Sequence, residues 1–521
     1  MKLKITVIII SVASLVACAA AALYALNASV PVYMEITVRC ENYEQTVKPY
    51  RYNRTLYCVF LPSCAGRELI CQLDGADSIV IDGVEYLDGQ AIEVQIDESF
   101  YVEFRRGAFS DSIRYMFIPS SRVGDVFVDT QAGYVVVASA SGLVSYDGRA
   151  AVEGFDSSAK TDMTVELANP SFLLSMSGAS EWRLLSNSAD RTHMRNKFAY
   201  DLFVECGTPG APESEYVDLF VDGEYRGLYL LAQSVSAPQA DAFVTDGGVG
   251  VSGGGGAAQD FELALQASDG VSPQTGRHFS EYIDVREWAL VYLMAEVLSD
   301  TDMEYVTSGF YERGGKLYQS AAYSFASKMG NCRDVWSDPC RMLSDAGALL
   351  PDRVCWYTLL SRRPEFMQYV RQLYEDVVQP RIVSALCNGL DSYRTHIARA
   401  KVLDDIVWEG RNDYDGPDID DWREQIYYLR EFLTVRQEFL TALWIDGEEY
   451  CRIVITSEEC RGSDSMIYYA SAGSAAGADF FKDTYFDRAG YSVSALRYAD
   501  GGAFDVSEPI DGNIFLEAGA G

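Results

Sequence analysis

The chain has 521 residues, 48% of them hydrophobic and 23% charged, a balance that excludes a disordered chain. At ~100 to 200 residues per domain, a chain of this length divides into about three or four cores. Its 76 acidic side chains against 42 basic ones give a formal charge of −34, which repels nucleic acid and anionic lipid head groups at long range and argues against a nucleic-acid partner.

Residues 1–28 open with Met-Lys-Leu-Lys and continue as an apolar run from Ile5 to Leu26, long enough to cross a hydrocarbon core of ~30 Å. Lys2 and Lys4 mark the cytoplasmic side. The segment reads as an uncleaved signal anchor. The text Leu15-Val16-Ala17-Cys18 also fits a lipoprotein box with Cys18 lipidated, and a cleaved secretory signal is the third alternative. Each version exports the rest of the chain. In an exported chain the 12 cysteines are either disulfides or buried thiols. Their spacing lacks a zinc pattern.

From residue 29 to 122 the text is strand-like (VYMEITVRC, SIVIDGVEYL, IEVQI) with Gly and Asp turns, as expected of a small β-sandwich-like module. A larger unit is expected over 123–446. Within it Val217, Leu219 and Val221 alternate with other neighbours, Asp222-Gly223 supplies a tight turn, and Tyr225, Gly227, Tyr229 and Leu231 return, which predicts a hairpin. The Gly-rich patch at 251–258 reads as a flexible loop or, alternatively, a phosphate cradle. The run VREWALVYLMAEVL predicts a helix buried on all sides. Helical text then dominates to Trp444, with Trp422, Ile426, Leu429, Leu433, Leu440 and Leu443 recurring at helical spacing. The acids Asp413, Asp415, Asp418, Asp420 and Asp421 precede that last helix, either as a solvated loop favourable to a helix N-terminus or as a calcium loop. Residues 447–521 read as a small β module.

The text WRLLSNSADRTHMRNKFAYDL, followed by SEYVDLFVDGEYRGLYLLAQ, resembles the kinase domain of the spore coat protein H (CotH) family. Trp182, Asn187, Asp190, Arg195 and Asn196 fit its pattern, and LREFLTVR resembles a late helix of the same family. The resemblance implies an α+β fold: a two-lobed atypical protein-kinase-like domain with a helical C-lobe, flanked by small all-β modules. The last segment resembles an internalin-type surface repeat through Gly490, Tyr491, Tyr498, Phe504, Pro509, Ile510 and Leu516.

Phosphoryl transfer needs cations on the phosphates, carboxylates on a metal ion and an acceptor-orienting base. By resemblance, Lys160, Arg183, Arg195 and Asn196 are the nucleotide-side candidates, and Asp302 in SDTDMEYVTSGFY is the candidate catalytic base. Other positions depart from the family. Glu166 stands where a strand lysine is expected, and Gln233 where a glutamate is. Ser324 and Ala326 replace the two aspartates of its metal-binding motif, so no metal ligand is assigned. The expected protein is an exported, membrane-anchored pseudokinase at a bacterial cell surface, acting as a binding or scaffold module on an envelope or extracellular protein partner. The alternatives are an active atypical Ser/Thr kinase using ATP with Mg and Asp302, and a purely adhesive surface protein.

Overall fold

The structure, a computed structural model, describes residues 33–63, 67–208, 210–234, 242–245, 250–252, 256–301, 310–319, 324–349, 355–408, 410, 414 and 416–519. The expected anchor with Cys18, residues 253–255 of the Gly-rich patch, Asp302, Asp413 and Asp415 lie outside the described residues. Among the described residues no helix is long and apolar enough to cross a membrane.

The mixed α+β chain is organised around a closed seven-stranded barrel. Its strands are β1 (Gly124–Asp129), β2 (Tyr134–Ala138), β3 (Val144–Glu153), β4 (Met163–Ser171), β5 (Ala179–Leu185), β6 (Ser214–Val221) and β7 (Glu224–Gln233). They run in the order β1-β2-β3-β4-β5-β7-β6, and closure comes from parallel pairing of β6 with β1, Gly124 opposite Val217 and Val128 opposite Val221. Alternation explains the lumen. Val126, Val128, Val135, Val137, Val217, Leu219, Val221, Trp182, Leu184, Tyr229 and Leu231 form one buried cluster, so the barrel is filled by side chains.

The opposite parity is largely buried on β1, β6 and β7 but exposed at Glu166 and Ala168 on β4. Phe127, Val136, Phe220 and Tyr225 join the core of the N-terminal β region. That region has a three-stranded sheet, which includes 33–39 and 68–74, and a six-stranded sheet, which includes 56–60 and 99–118. Tyr216, Leu228 and Leu230 instead pack into the helical part.

Four helices bear on the polar interior: α1 (Arg195–Cys206), α2 (Val285–Leu298), α3 (Leu390–Trp408) and α4 (Trp422–Thr441). Helix α2 is buried along nearly its whole length, as its all-round apolar text predicts. Asp421 caps α4 by accepting from Arg423 N at 2.8 Å and Glu424 N at 3.0 Å, and Asp420 pairs with Arg191 at 3.0 Å. These two acids of the run therefore serve the helix entry.

The C-terminal sheet of 450–456, 466–471, 496–498 and 514–518 has no separate core. Ile453, Ile455, Met466 and Ile467 belong to the same buried cluster as Leu433, Phe439 and Leu440 of α4. Buried Arg341 donates to the Ser463 and Ser465 carbonyls across this junction, and buried Arg436 on α4 pairs with Glu296 on α2 at 3.0 Å.

A candidate site at the buried polar seam of the barrel

Between β5 and α1 the chain passes through a loop, 186–194, whose backbone is set by polar side chains. Asn187 and His193 both take left-handed conformations, φ 52° and 60°. Asp190 organises the turn: its Oδ1 accepts from Thr192 N at 3.0 Å and Thr192 Oγ1 at 2.7 Å, and its Oδ2 accepts from Arg195 N at 2.9 Å. It thereby takes up one free backbone donor of α1, the Arg195 N–H. The same carboxylate receives Arg195 Nη1 at 2.6 Å, and both side chains are wholly buried. Arg195 Nε continues to the Lys328 carbonyl at 3.2 Å.

Asn196 is the second tie. Its Nδ2 donates to Asn187 Oδ1 at 2.7 Å, and its Oδ1 accepts Phe325 N at 2.6 Å. The 324–331 segment is closed further by Asn331, whose Nδ2 donates to the Ala189 and Ala326 carbonyls at 2.8 and 2.6 Å. Beyond α2, Lys328 Nζ donates to Thr301 Oγ1 at 2.7 Å and lies 3.6 Å from Asp300 Oδ1.

Lys160 sits in a separate part of the seam. The bulge at Arg226 on β7 aims that guanidinium at the carbonyls of Asp156, Ser157 and Ala159, 2.8–3.0 Å away, which fixes the loop carrying Lys160. The Lys160 ammonium is 2.7 Å from Asp404 Oδ1, with both side chains almost fully enclosed, and lies 5.4 Å from the Tyr229 ring centroid. Asp404 Oδ1 also accepts Leu228 N at 2.9 Å, and His193 Nε2 lies 3.6 Å from Oδ2. This approach demands Gly227: its φ is 94°, and a Cβ there would collide with Asp404 Oδ1.

Electrostatics follow the geometry. Burial lowers the affinity of Lys160 for its proton and Asp404 opposes that effect; burial likewise raises the Asp404 carboxyl and Lys160 opposes it. The 2.7 Å contact favours the charged pair. Burial, with Lys160 and Lys401 adding repulsion, holds His193 well below its ordinary value, so it is neutral.

The sequence candidates are therefore only partly gathered. Arg195 and Asn196 are adjacent and tied to the 324–331 segment, whereas Lys160 is engaged with Asp404. Arg183 lies half-buried on β5, opposite Thr164 and Ala232. Glu166 is exposed on β4. Gln233 accepts Glu213 N at 3.0 Å and donates to the Ser177 carbonyl at 2.8 Å, a bridge within the barrel wall. Sequence reasoning missed Asp404, Lys328, Asn331 and Arg226. An acid at 404 on the apolar stripe of α3, which includes Ile397, Ala400, Leu403 and Val407, was the one available signal.

Residues 159–246 match the family model of the CotH kinase protein. The match takes in β4, β5, the 186–194 loop, α1 and the β6–β7 hairpin, and supports the CotH family for this central part. No curated protein matches the chain.

A magnesium nucleotide needs uncommitted cations and hard anionic ligands. Three of the four nucleotide-side candidates are engaged elsewhere: Lys160 with Asp404, Arg195 with Asp190, and Asn196 with Asn187 and Phe325 N. Ser324 offers an exposed hydroxyl and Ala326 a carbonyl already held by Asn331, neither a strong ligand for a hard cation. Arg195 Nη2, Asn187 Nδ2 and His193 Nδ1 are buried without partners, but they are enclosed, and a phosphate could reach them only if the seam opened. Among the described residues this set does not fit Mg-ATP.

Proposed function

We propose that this chain is an exported CotH-type pseudokinase, with its N-terminal segment as membrane anchor and its kinase-like body acting as a binding or scaffold module at a bacterial cell surface. In this reading the barrel and the helices after it are the two lobes of an atypical kinase fold. The C-terminal module, with its internalin-type text, is a display element held against the helical lobe. The observation that carries the proposal is the closure of the two buried ion pairs, Lys160–Asp404 and Arg195–Asp190, because a cation already neutralised inside protein adds little to a triphosphate. Cys40 is disulfide-bonded, which favours an oxidising compartment.

The test is phosphate transfer from radiolabelled ATP, with Mg²⁺ and with Mn²⁺, to a generic acidic protein and to the chain itself. The proposal expects label no higher than in a heat-denatured control. The second reading is an active atypical Ser/Thr kinase with Asp302 as base. It draws support from the three unpartnered nitrogens and from Asp300 and Thr301, which are fixed by Lys328 just before Asp302. Label that appears in the native chain and disappears in Asp302→Ala would establish that reading instead.

A further inference from the structure

A cleft of about 700 Å³ opens where α4 meets the C-terminal sheet and the 332–340 loop, within the size range of ligand sites and at a junction of the kind that favours them. It contains none of the nucleotide-side or catalytic candidates Lys160, Arg183, Arg195, Asn196 and Asp302. One wall is a single face of α4, Tyr428, Phe432 and Val435 at helical spacing. The facing wall is Ile467 and Tyr468.

The cleft is preformed. Asp338 on its floor accepts Tyr485 N at 2.8 Å and Tyr468 Oη at 3.3 Å, and pairs with Arg488 at 3.1 Å. Arg333 Nε donates to the Gly416 carbonyl at 2.7 Å. These contacts hold both basic side chains of the lining. The other charged groups of the lining are Asp418, Glu431 and Asp483, carboxylates that reach the rim. An apolar slot with aromatic walls and an acidic rim, on a molecule with formal charge −34, is complementary to a basic apolar ligand.

We propose that this cleft docks a peptide segment of a partner protein, one apolar side chain entering between Phe432 and Tyr468 and flanking Lys or Arg side chains meeting Asp418, Glu431 and Asp483. The assignment goes beyond the pseudokinase reading and stands or falls separately from it, since no nucleotide is involved.

The probe is a fluorescein-labelled octapeptide with a leucine or tryptophan flanked by lysines, followed by anisotropy. Saturable binding is expected, weakening as salt rises. A peptide with the same centre and glutamate flanks should not bind. The double variant Asp418→Lys/Glu431→Lys changes only exposed rim side chains and should keep the wild-type melting curve. It should bind the basic peptide at least ~tenfold more weakly, through loss of the complementary charge. Val435→Trp, which fills the slot, should weaken binding without altering charge. Absence of binding, equal binding by the charge-reversed variant, or undiminished binding by Val435→Trp would overturn the proposal. Equal competition by a quaternary-ammonium amphiphile would replace the peptide with a small cation and overturn it too.

Discussion

At the scale of single residues, the seam shows how a charged side chain can be retained for packing. Asp404 receives an ammonium and a backbone N–H through one oxygen, and only a glycine at 227 leaves room for it. Removing the carboxylate leaves Lys160 buried and uncompensated. Asp404→Leu is expected to destabilise the protein by about 3–5 kcal/mol, as is typical when one partner of a buried pair is lost. Lys160→Met alone should cost similarly. The double variant Lys160→Met/Asp404→Leu should cost less than either single change, leaving mainly the orphaned Leu228 N–H. Urea unfolding measures all three, and additive losses would show that the two groups are not coupled. Arg195 and Asn196 stand out through the family text, which also contains their partners Asp190 and Asn187. Asp404 could not, because 244 residues separate it from Lys160, and text alone does not reveal which of 76 acids meets a given cation.

At the scale of elements, the β6–β7 hairpin was legible. The alternation of apolar residues and the Asp222-Gly223 turn correspond to observed φ values of 50° and 82°. The fate of its second face was hidden. Asp218, between the lumen residues Val217 and Leu219, is buried beside Asp125, its direct register partner across the parallel β1–β6 pairing. That pairing closes the barrel between segments far apart in the chain, and no local pattern encodes it. The paired carboxylates predict an unusual pH response. Burial, then repulsion from Asp218, raises the Asp125 carboxyl well above its ordinary value, and burial pushes Asp218 up to about 6.

Facing them are the Ser121 and Tyr225 hydroxyls, Ser63 N–H, Tyr43 and Asp404. The unfolded carboxyls titrate near ~3.9, so the folded state holds protons that the unfolded state has released. The pair's stabilisation is full below that value and is lost as pH rises through about 6. Asp125→Asn should therefore flatten the decline in urea midpoint between about pH 5 and pH 8. A variant whose decline parallels the wild type would show that Asp125 does not hold a proton there.

At the scale of the whole molecule, sequence composition identified a folded, strongly acidic chain, and residues 182–233 carried the clearest family text. The way the parts join was not legible. The N-terminal sheets share a core with the outside of the barrel, and the C-terminal sheet shares one with α4. These contacts are carried by apolar residues that look the same whether they face their own module or a neighbour. The central proposal for the molecule is that its CotH-type segment keeps a kinase-like frame while Lys160 and Arg195 are spent on internal pairs. Isothermal titration of the full chain with ATP, in Mg²⁺ and then in Mn²⁺, tests this most directly. The account predicts no saturable heat at millimolar nucleotide. Saturable one-site binding that is lost in Arg195→Met, with the fold of that variant intact, would contradict it.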